Sequence, residues 1–362
     1  MRQHRGDKHR VRRRLAALLL LLASVTSCSS NPLGTFASEK PRTIEPAQAA
    51  QSPPVSQNPA GTVRALAGEA TAALFDGSTR QLAVLVPGAD PAAPASITEF
   101  DDPHATPRGS PRQVALPGPA TALTGDGRGW AFLAARGGYF AVDLSTGHTA
   151  HVPVADAAQA EFTAIAQRAD GKLVLGSADG AVFTLTSQTP AAVSTASVDS
   201  RNKIFARVDA LATQGNTTVV LDRGQTSVTT IGADGRVEQS LRAGEGATTL
   251  AADALGRVLV ADTRGGQLLV YGVDPLILRQ AYPVRQAPYG LAGSRELTWV
   301  SQTASNTVIG YDLSTGIPVE RARHPTVRQP NSLAFDEASD TLYVVSGSGA
   351  GVQIIEHAAG TP

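Results

Sequence analysis

The chain has 362 residues, 42% hydrophobic, 17% charged and 5% aromatic, with 35 Gly, 23 Pro and one Cys. This is a folded, turn-rich composition, which excludes a collagen-like or wholly disordered chain, and its length calls for two domains or one large repetitive architecture. A lone cysteine excludes an internal disulfide and a Cys-rich zinc or iron–sulfur centre, and the zero formal charge, 31 basic against 31 acidic residues, hides a strongly uneven distribution.

Residues 1–14 carry Arg2, Arg5, Lys8, Arg10, Arg12, Arg13 and Arg14 against the single acid Asp7, and an apolar run from Leu15 to Ala23 follows. A run this short cannot span a bilayer, which takes roughly 20 helical residues, so it reads as the core of a signal peptide, residues 1–27. The next segment, Val25-Thr26-Ser27-Cys28, resembles the lipobox of bacterial lipoproteins. That resemblance implies cleavage before Cys28 and acylation of its sulfur with diacylglycerol and palmitate-type chains. The expected location is then the extracytoplasmic face of the cell membrane, with membrane lipid as a partner through Cys28. Two acyl chains suffice for stable anchoring, at about 0.8 kcal/mol per buried methylene.

Loss of residues 1–27 removes seven basic residues and one acid, leaving 24 against 30, a net charge of −6. An acidic mature chain lacks the basic stripe that nucleic-acid binding requires, so no nucleic-acid partner is expected. Only Lys8, Lys40, Lys172 and Lys203 are lysines, and alanine is abundant, a bias that suits a GC-rich genome such as an actinobacterial one.

From Ser29 to Gly61 the chain holds six prolines, Pro32, Pro41, Pro46, Pro53, Pro54 and Pro59, with Ser, Gln and Ala and few large apolar residues. No core can be built from this, so residues 28–61 read as the lipidated cysteine and a disordered tether, about 30 Å long as a flexible coil.

Residues 62–357 repeat one pattern: an apolar strand, a polar turn with Asp or Gly, then a second aliphatic strand, as in Thr249–Asp262 and Asn331–Val345. The inner-strand aliphatics Leu74, Leu123, Ile165, Leu211, Leu250, Leu291 and Leu333 recur at about 43 residues, the spacing of four-stranded propeller blades. The expectation is an all-β fold, a seven-bladed β-propeller of four-stranded blades. After Leu333 only about three strands fit, and Thr62–Leu66 supplies the missing outer strand, closing the ring. Residues 358–362 remain as a tail. Two β-sandwiches would also give short strands and turns, but no Pro/Ser-rich break divides the region.

The repeats, above all Pro330–Asp336 and Leu342–Val345, resemble those of YVTN, NHL and gluconolactonase-type propellers. Together with the lipobox, the chain resembles conserved lipoproteins of mycobacteria and their actinobacterial relatives. Neither Trp130 nor Trp299 precedes an Asp, so the WD signature is absent. A propeller resemblance implies architecture more than activity, because the fold hosts many functions.

No Gly-x-Ser-x-Gly elbow, His-Glu-x-x-His or phosphate loop is present, and no catalytic residue is nominated. His148 and His151, three apart in a strand, point to opposite faces. The gluconolactonase resemblance implies a metal-dependent hydrolase with ligands where the inner strands begin. The corresponding positions are Ala72, Thr121, Thr163, Asp209, Thr248, Tyr289 and Asn331, of which only Asp209 and Asn331 are ligand types, against the six to eight oxygens calcium takes. Calcium at Asp209 and Asn331 is the alternative reading; the primary one has no cofactor. The loops that join successive blades carry local basic charge: Arg201, Lys203 and Arg207 before blade 4, Arg285 with Tyr289 before blade 6, and Arg321, Arg323, His324 and Arg328 before blade 7. With Asp209 and Asn331 these form a candidate face for an anionic envelope component or a protein partner, contacted through arginine forks. The functional expectation is therefore a lipid-anchored binding or scaffold module of the cell envelope.

Overall fold

The computed structural model describes residues 41–102, 109–187 and 194–360. Residues 1–40, with the signal segment and Cys28, lie outside the described residues, as does most of the loop between Asp101 and Arg112. The described residues contain 28 strands arranged as seven antiparallel four-stranded sheets, six of them simple meanders of consecutive strands and the seventh joining the first strand to the last three. Each of the seven aliphatic markers falls on an innermost strand, from Leu74 in Ala72–Asp76 and Leu123 in Ala122–Gly125 to Leu333 in Pro330–Asp336.

Blade 7 is completed by the N-terminal strand Thr62–Arg64, which pairs antiparallel with Val352–Ile355 in the register Thr62↔Ile354, Val63↔Gln353. The edge that the C-terminal strand would otherwise present is thereby covered. Gly61 makes the approach possible: it sits at φ 68°, and a Cβ there would lie 2.0 Å from the Ile354 carbonyl oxygen.

Each blade offers two apolar faces, and each pair of neighbouring blades buries one shared cluster. Between blades 2 and 3 it holds Phe132, Tyr139, Phe162, Leu175 and Phe183; between blades 6 and 7 it holds Trp299, Val308, Leu342 and Val344. The low aromatic content is concentrated in these seams: Phe162 meets Phe183 edge-on with centroids 5.2 Å apart, and Phe75 stacks on Tyr343 at 5.3 Å.

Two departures from expectation concern the ends of the ring. The disordered tether expected to run to Gly61 is, from Pro41 onward, an extended strap lying against the propeller. The Ile44 N–H donates to the Gly224 carbonyl at 2.8 Å and the Ala60 N–H to the Pro325 carbonyl at 3.0 Å, while Ala47 and Ser52 are buried. Proline and small residues cannot make a core, but they can be held by side-chain donors aimed at their carbonyls. At the other end Ala358, expected to begin a tail, is buried in the blade 6–7 seam, and its N–H donates to the Asp340 carbonyl.

Candidate functional site

In an up-and-down blade, the loops between blades and the turns between second and third strands open on one face. Arg207, Asp209, Arg285, Tyr289, Arg328 and Asn331 belong to this face or to the inner strands that begin at it, whereas Arg201, Lys203, Arg321, Arg323 and His324, expected in loops between blades, lie on the outermost strands Val198–Lys203 and Val319–Pro325. On this face a cavity of about 720 Å³ opens between blades 6, 7 and 1, running from Tyr289 and Asn331 on inner strands past Glu69 and the backbone of 67–71 and 86–89 to Ser96 and Gln113 on the two outer strands of blade 1. Among the described residues of its wall, Glu69 alone is charged. Below it, a second cavity of about 560 Å³ follows the axis between the inner strands and is apolar or hydroxyl-lined, with Leu74, Leu250, Leu291, Phe335 and Thr124 among its walls. Tyr289 and Asn331 border both.

The inner strands of neighbouring blades run side by side without sharing a ladder, and several of the expected ligand positions join them. The Thr121 hydroxyl donates to the Phe162 carbonyl of blade 3 at 2.8 Å, and that of Thr163 to the Val208 carbonyl of blade 4. At blade 5 the expected Thr248 stays within its own blade, facing the Ala261 carbonyl at 3.3 Å and the Thr263 hydroxyl at 2.6 Å, and it is its neighbour Thr249 that donates to the Tyr289 carbonyl of blade 6. These hydroxyls satisfy backbone acceptors that the twist of the ring leaves open.

Asp209 accepts from the Arg223 N–H at 2.8 Å through one oxygen and from Arg207 Nε at 3.2 Å through the other. Burial pushes its carboxyl above the usual carboxylate range, against the opposing pull of the Arg223 N–H and of the Arg223 and Arg207 charges. Asn331 Oδ1 accepts from Gln329 Nε2 at 3.0 Å. Both alternative metal ligands thus use their oxygens within the protein. Among the described residues, no three His, Cys, Asp or Glu side chains come together as a metal cage, and two oxygens do not fit the coordination sphere of calcium.

The basic residues are dispersed rather than gathered. Arg323 forms a two-pronged pair with Glu320, at 2.7 and 2.8 Å, and Arg321 meets Asp312 at 3.3 Å. His324 Nε2 lies 2.8 Å from the Ala358 carbonyl. Lys203 pairs with Asp179 at 2.6 Å, and the Arg201 guanidinium lies over the Phe183 ring at 4.8 Å. Arg328 Nε donates to the Ser52 carbonyl of the strap at 3.3 Å. Arg285, in the loop that leads to Tyr289, is exposed. Strand placement explains the dispersal: Arg201, Lys203, Arg321, Arg323 and His324 are on outer strands, at the rim of the ring, where carboxylates of the same blade reach Lys203, Arg321 and Arg323.

Sequence reasoning missed the residues that hold the strap. Arg223, Arg264 and Asn306 stand in equivalent turns of blades 4, 5 and 6, and Gln329 in the loop between blades 6 and 7. The Val284-Arg285-Gln286-Ala287-Pro288 and Val327-Arg328-Gln329-Pro330 likeness was the available signal, since both loops place Gln in the left-handed region, Gln286 at φ 66° and Gln329 at φ 56°.

Fold and site together define a seven-bladed β-propeller with a polar mouth that reaches from its inner strands across blade 1. Among solved structures it is similar to virginiamycin B lyase from Staphylococcus aureus, with TM-score 0.63 and 10% identity over 79% of this chain and 94% of that one. A streptogramin B lyase gives 0.63 and 10% over 82% and 96%, and a chain of the mitotic checkpoint complex 0.67 and 10% over 86% and 98%. At this identity the likeness is one of fold. No family model and no curated protein matches the chain.

Proposed function

We propose that the protein is an exported lipoprotein, anchored through acylated Cys28, whose propeller is a binding or scaffold module at the outer face of the cell membrane. The observation that carries the binding role is the mouth between blades 6, 7 and 1. Its volume, about 720 Å³, is that of a ligand site, and its wall offers the Tyr289 hydroxyl and the Asn331, Gln113 and Ser96 side chains beside a single acid. Such a wall recognises hydrogen-bonding groups. Exposed Arg285 adds positive charge on the approach to Tyr289, which suits an envelope component with anionic groups. The packing of the chain from Pro41 onward leaves Ser29 to Lys40 for the spacer expected behind Cys28.

Crosslinking in intact cells tests the reading, with a photoreactive residue in place of Tyr289. The expected outcome is capture of an envelope component that Asn331→Ala abolishes; crosslinks to the chain's own residues alone would remove the mouth as a site. Anchoring is read separately. Cys28→Ala is expected to lose acyl label and leave the membrane fraction, and recovery of mature native protein with an underivatised Cys28 thiol would overturn it. A calcium-dependent rise in melting temperature, lost in Asp209→Ala, would instead favour the metal-dependent hydrolase.

A further inference from the structure

The strap is held in a way that identifies the surface beneath it. Its contacts run almost entirely to main-chain atoms. The Glu45 carbonyl accepts from Arg264 at 2.7 Å and the Ala47 carbonyl from Arg223. The Ala50, Ser52 and Pro53 carbonyls accept from Gln329, Arg328 and Asn306 at 3.0, 3.3 and 2.9 Å. The Gln329 side-chain amide works as a neighbouring strand would: Nε2 gives to the Ala50 carbonyl while Oε1 takes the Ser52 N–H at 3.0 Å. Gln329 sits in the left-handed region, as its counterpart Gln286 does in the preceding inter-blade loop, so the loop itself presents this amide to the strap.

Side chains of the strap contribute little. Those of Arg42, Ile44, Glu45, Gln48 and Gln51 face solvent, and the two that enter the surface, Ala47 and Ser52, are small. The surface is cut to match: a Cβ on Gly246 would stand 2.9 Å from Ala47 Cβ, and one on Gly224 3.1 Å from Thr43 Cγ2. Ser52 is locked in place, its hydroxyl donating to the Thr303 carbonyl at 2.6 Å and accepting the Gln329 N–H at 3.0 Å. After Pro53 the chain is exposed through Asn58 before it re-enters at Ala60.

We infer that the face over blades 4 to 7 is a binding groove for extended polypeptide, which the protein fills with its own residues 44–53. Recognition is by backbone, with two side-chain sockets, at Ala47 and Ser52, that admit only small residues. The ligand class is an extended, proline-tolerant peptide with small residues five positions apart, and the resident strap is the occupant that such a peptide displaces. This goes beyond the mouth between blades 6, 7 and 1 and does not depend on it, although Gln329 Nε2, bonded to both Ala50 and Asn331, joins the two places.

The test uses the full chain with a protease recognition sequence replacing the exposed residues Val55 to Asn58. After cleavage the strap fragment is expected to co-elute with the propeller at roughly 10 µM protein and to exchange with a fluorescent peptide of residues 41–54. A peptide in which Arg42, Ile44, Glu45, Gln48 and Gln51 are all Ser is expected to compete within about threefold, whereas Ala47→Leu or Ser52→Leu in the peptide weakens it by roughly tenfold or more. In the protein, Gln329→Gly keeps the left-handed backbone and is expected to release the fragment faster. Departure of the fragment on cleavage would overturn the proposal. So would equal binding of the Leu peptides, which would deny the sockets, or failure of the Ser-substituted peptide, which would show a latch specific to its own sequence.

Discussion

Trp299 and Gly310 show how one position of the repeat is tuned by its cross-strand neighbour. They face each other on the second and third strands of blade 6, and the fully buried indole packs against Phe335 of blade 7 at 6.1 Å. The ring fills the place a side chain at 310 would take, since a Cβ there would lie 2.8 Å from Trp299 Cζ3. Gly310→Ala is therefore expected to destabilise the protein by about 1–3 kcal/mol, as overpacking does, measured by denaturant unfolding. Trp299→Leu in the same chain should recover part of that loss by removing the clash. A neutral Gly310→Ala would show that the indole has room to move. The glycine was visible in the sequence, but its meaning was not, because the partner 11 residues away is set by strand register.

At the scale of the element, each blade is tied to the next by carboxylates and hydroxyls at strand ends. Asp76, at the end of the innermost strand of blade 1, accepts from the Ser78 and Thr79 N–H groups at 3.0 and 2.9 Å and from the Gly129 N–H of blade 2 at 3.0 Å. On the opposite face Asp262 takes the Gly246 and Gly265 N–H groups at 2.8 and 3.0 Å. Burial alone would raise the Asp76 carboxyl, but hydrogen bonds from Ser78, Thr79 and Gly129 outweigh it and hold it below the usual carboxylate range. A depressed carboxyl stabilises the fold above its unfolded value, near pH 4, and that contribution disappears as pH falls through the lower folded value. Asp76→Asn is thus expected to cost about 2 kcal/mol at pH 7, the worth of hydrogen bonds to a charged group, and progressively less below pH ~4. Urea unfolding across this range checks it; a pH-independent difference would mean that the Asp76 charge is not what ties blade 1 to blade 2. The Asp/Gly turns were legible as hairpin chemistry, whereas the reach of Asp76 into blade 2 was not.

For the whole molecule the decisive contact is closure. The three-residue strand Thr62–Arg64 is short and mostly exposed, yet it covers the open edge of Val352–Ile355. Deleting residues 41–66 is expected to lower the melting temperature by several degrees or more and to promote association through the bared edge, whereas the strap cleavage described above leaves closure intact. Light scattering and a thermal melt separate the two. An unchanged melt after the deletion would show that blade 7 holds with three strands.

The repeat alone determined the number of blades, the seven inner strands and the closing strand, because strand alternation and turn residues are local and recur at a fixed interval. The same local reading put Arg201, Arg321 and Arg323 in loops, although they lie on outer strands, and placed Asp209, Asn331 and Tyr289 in their blades but not their partners. Tertiary structure decided those, and it decided what became of the Pro-rich segment. Composition rightly denied residues 41–60 a core of their own, but their order comes from Arg223, Arg264, Asn306 and Gln329, which lie 160 residues or more away in the chain and converge on one face only when the ring is closed.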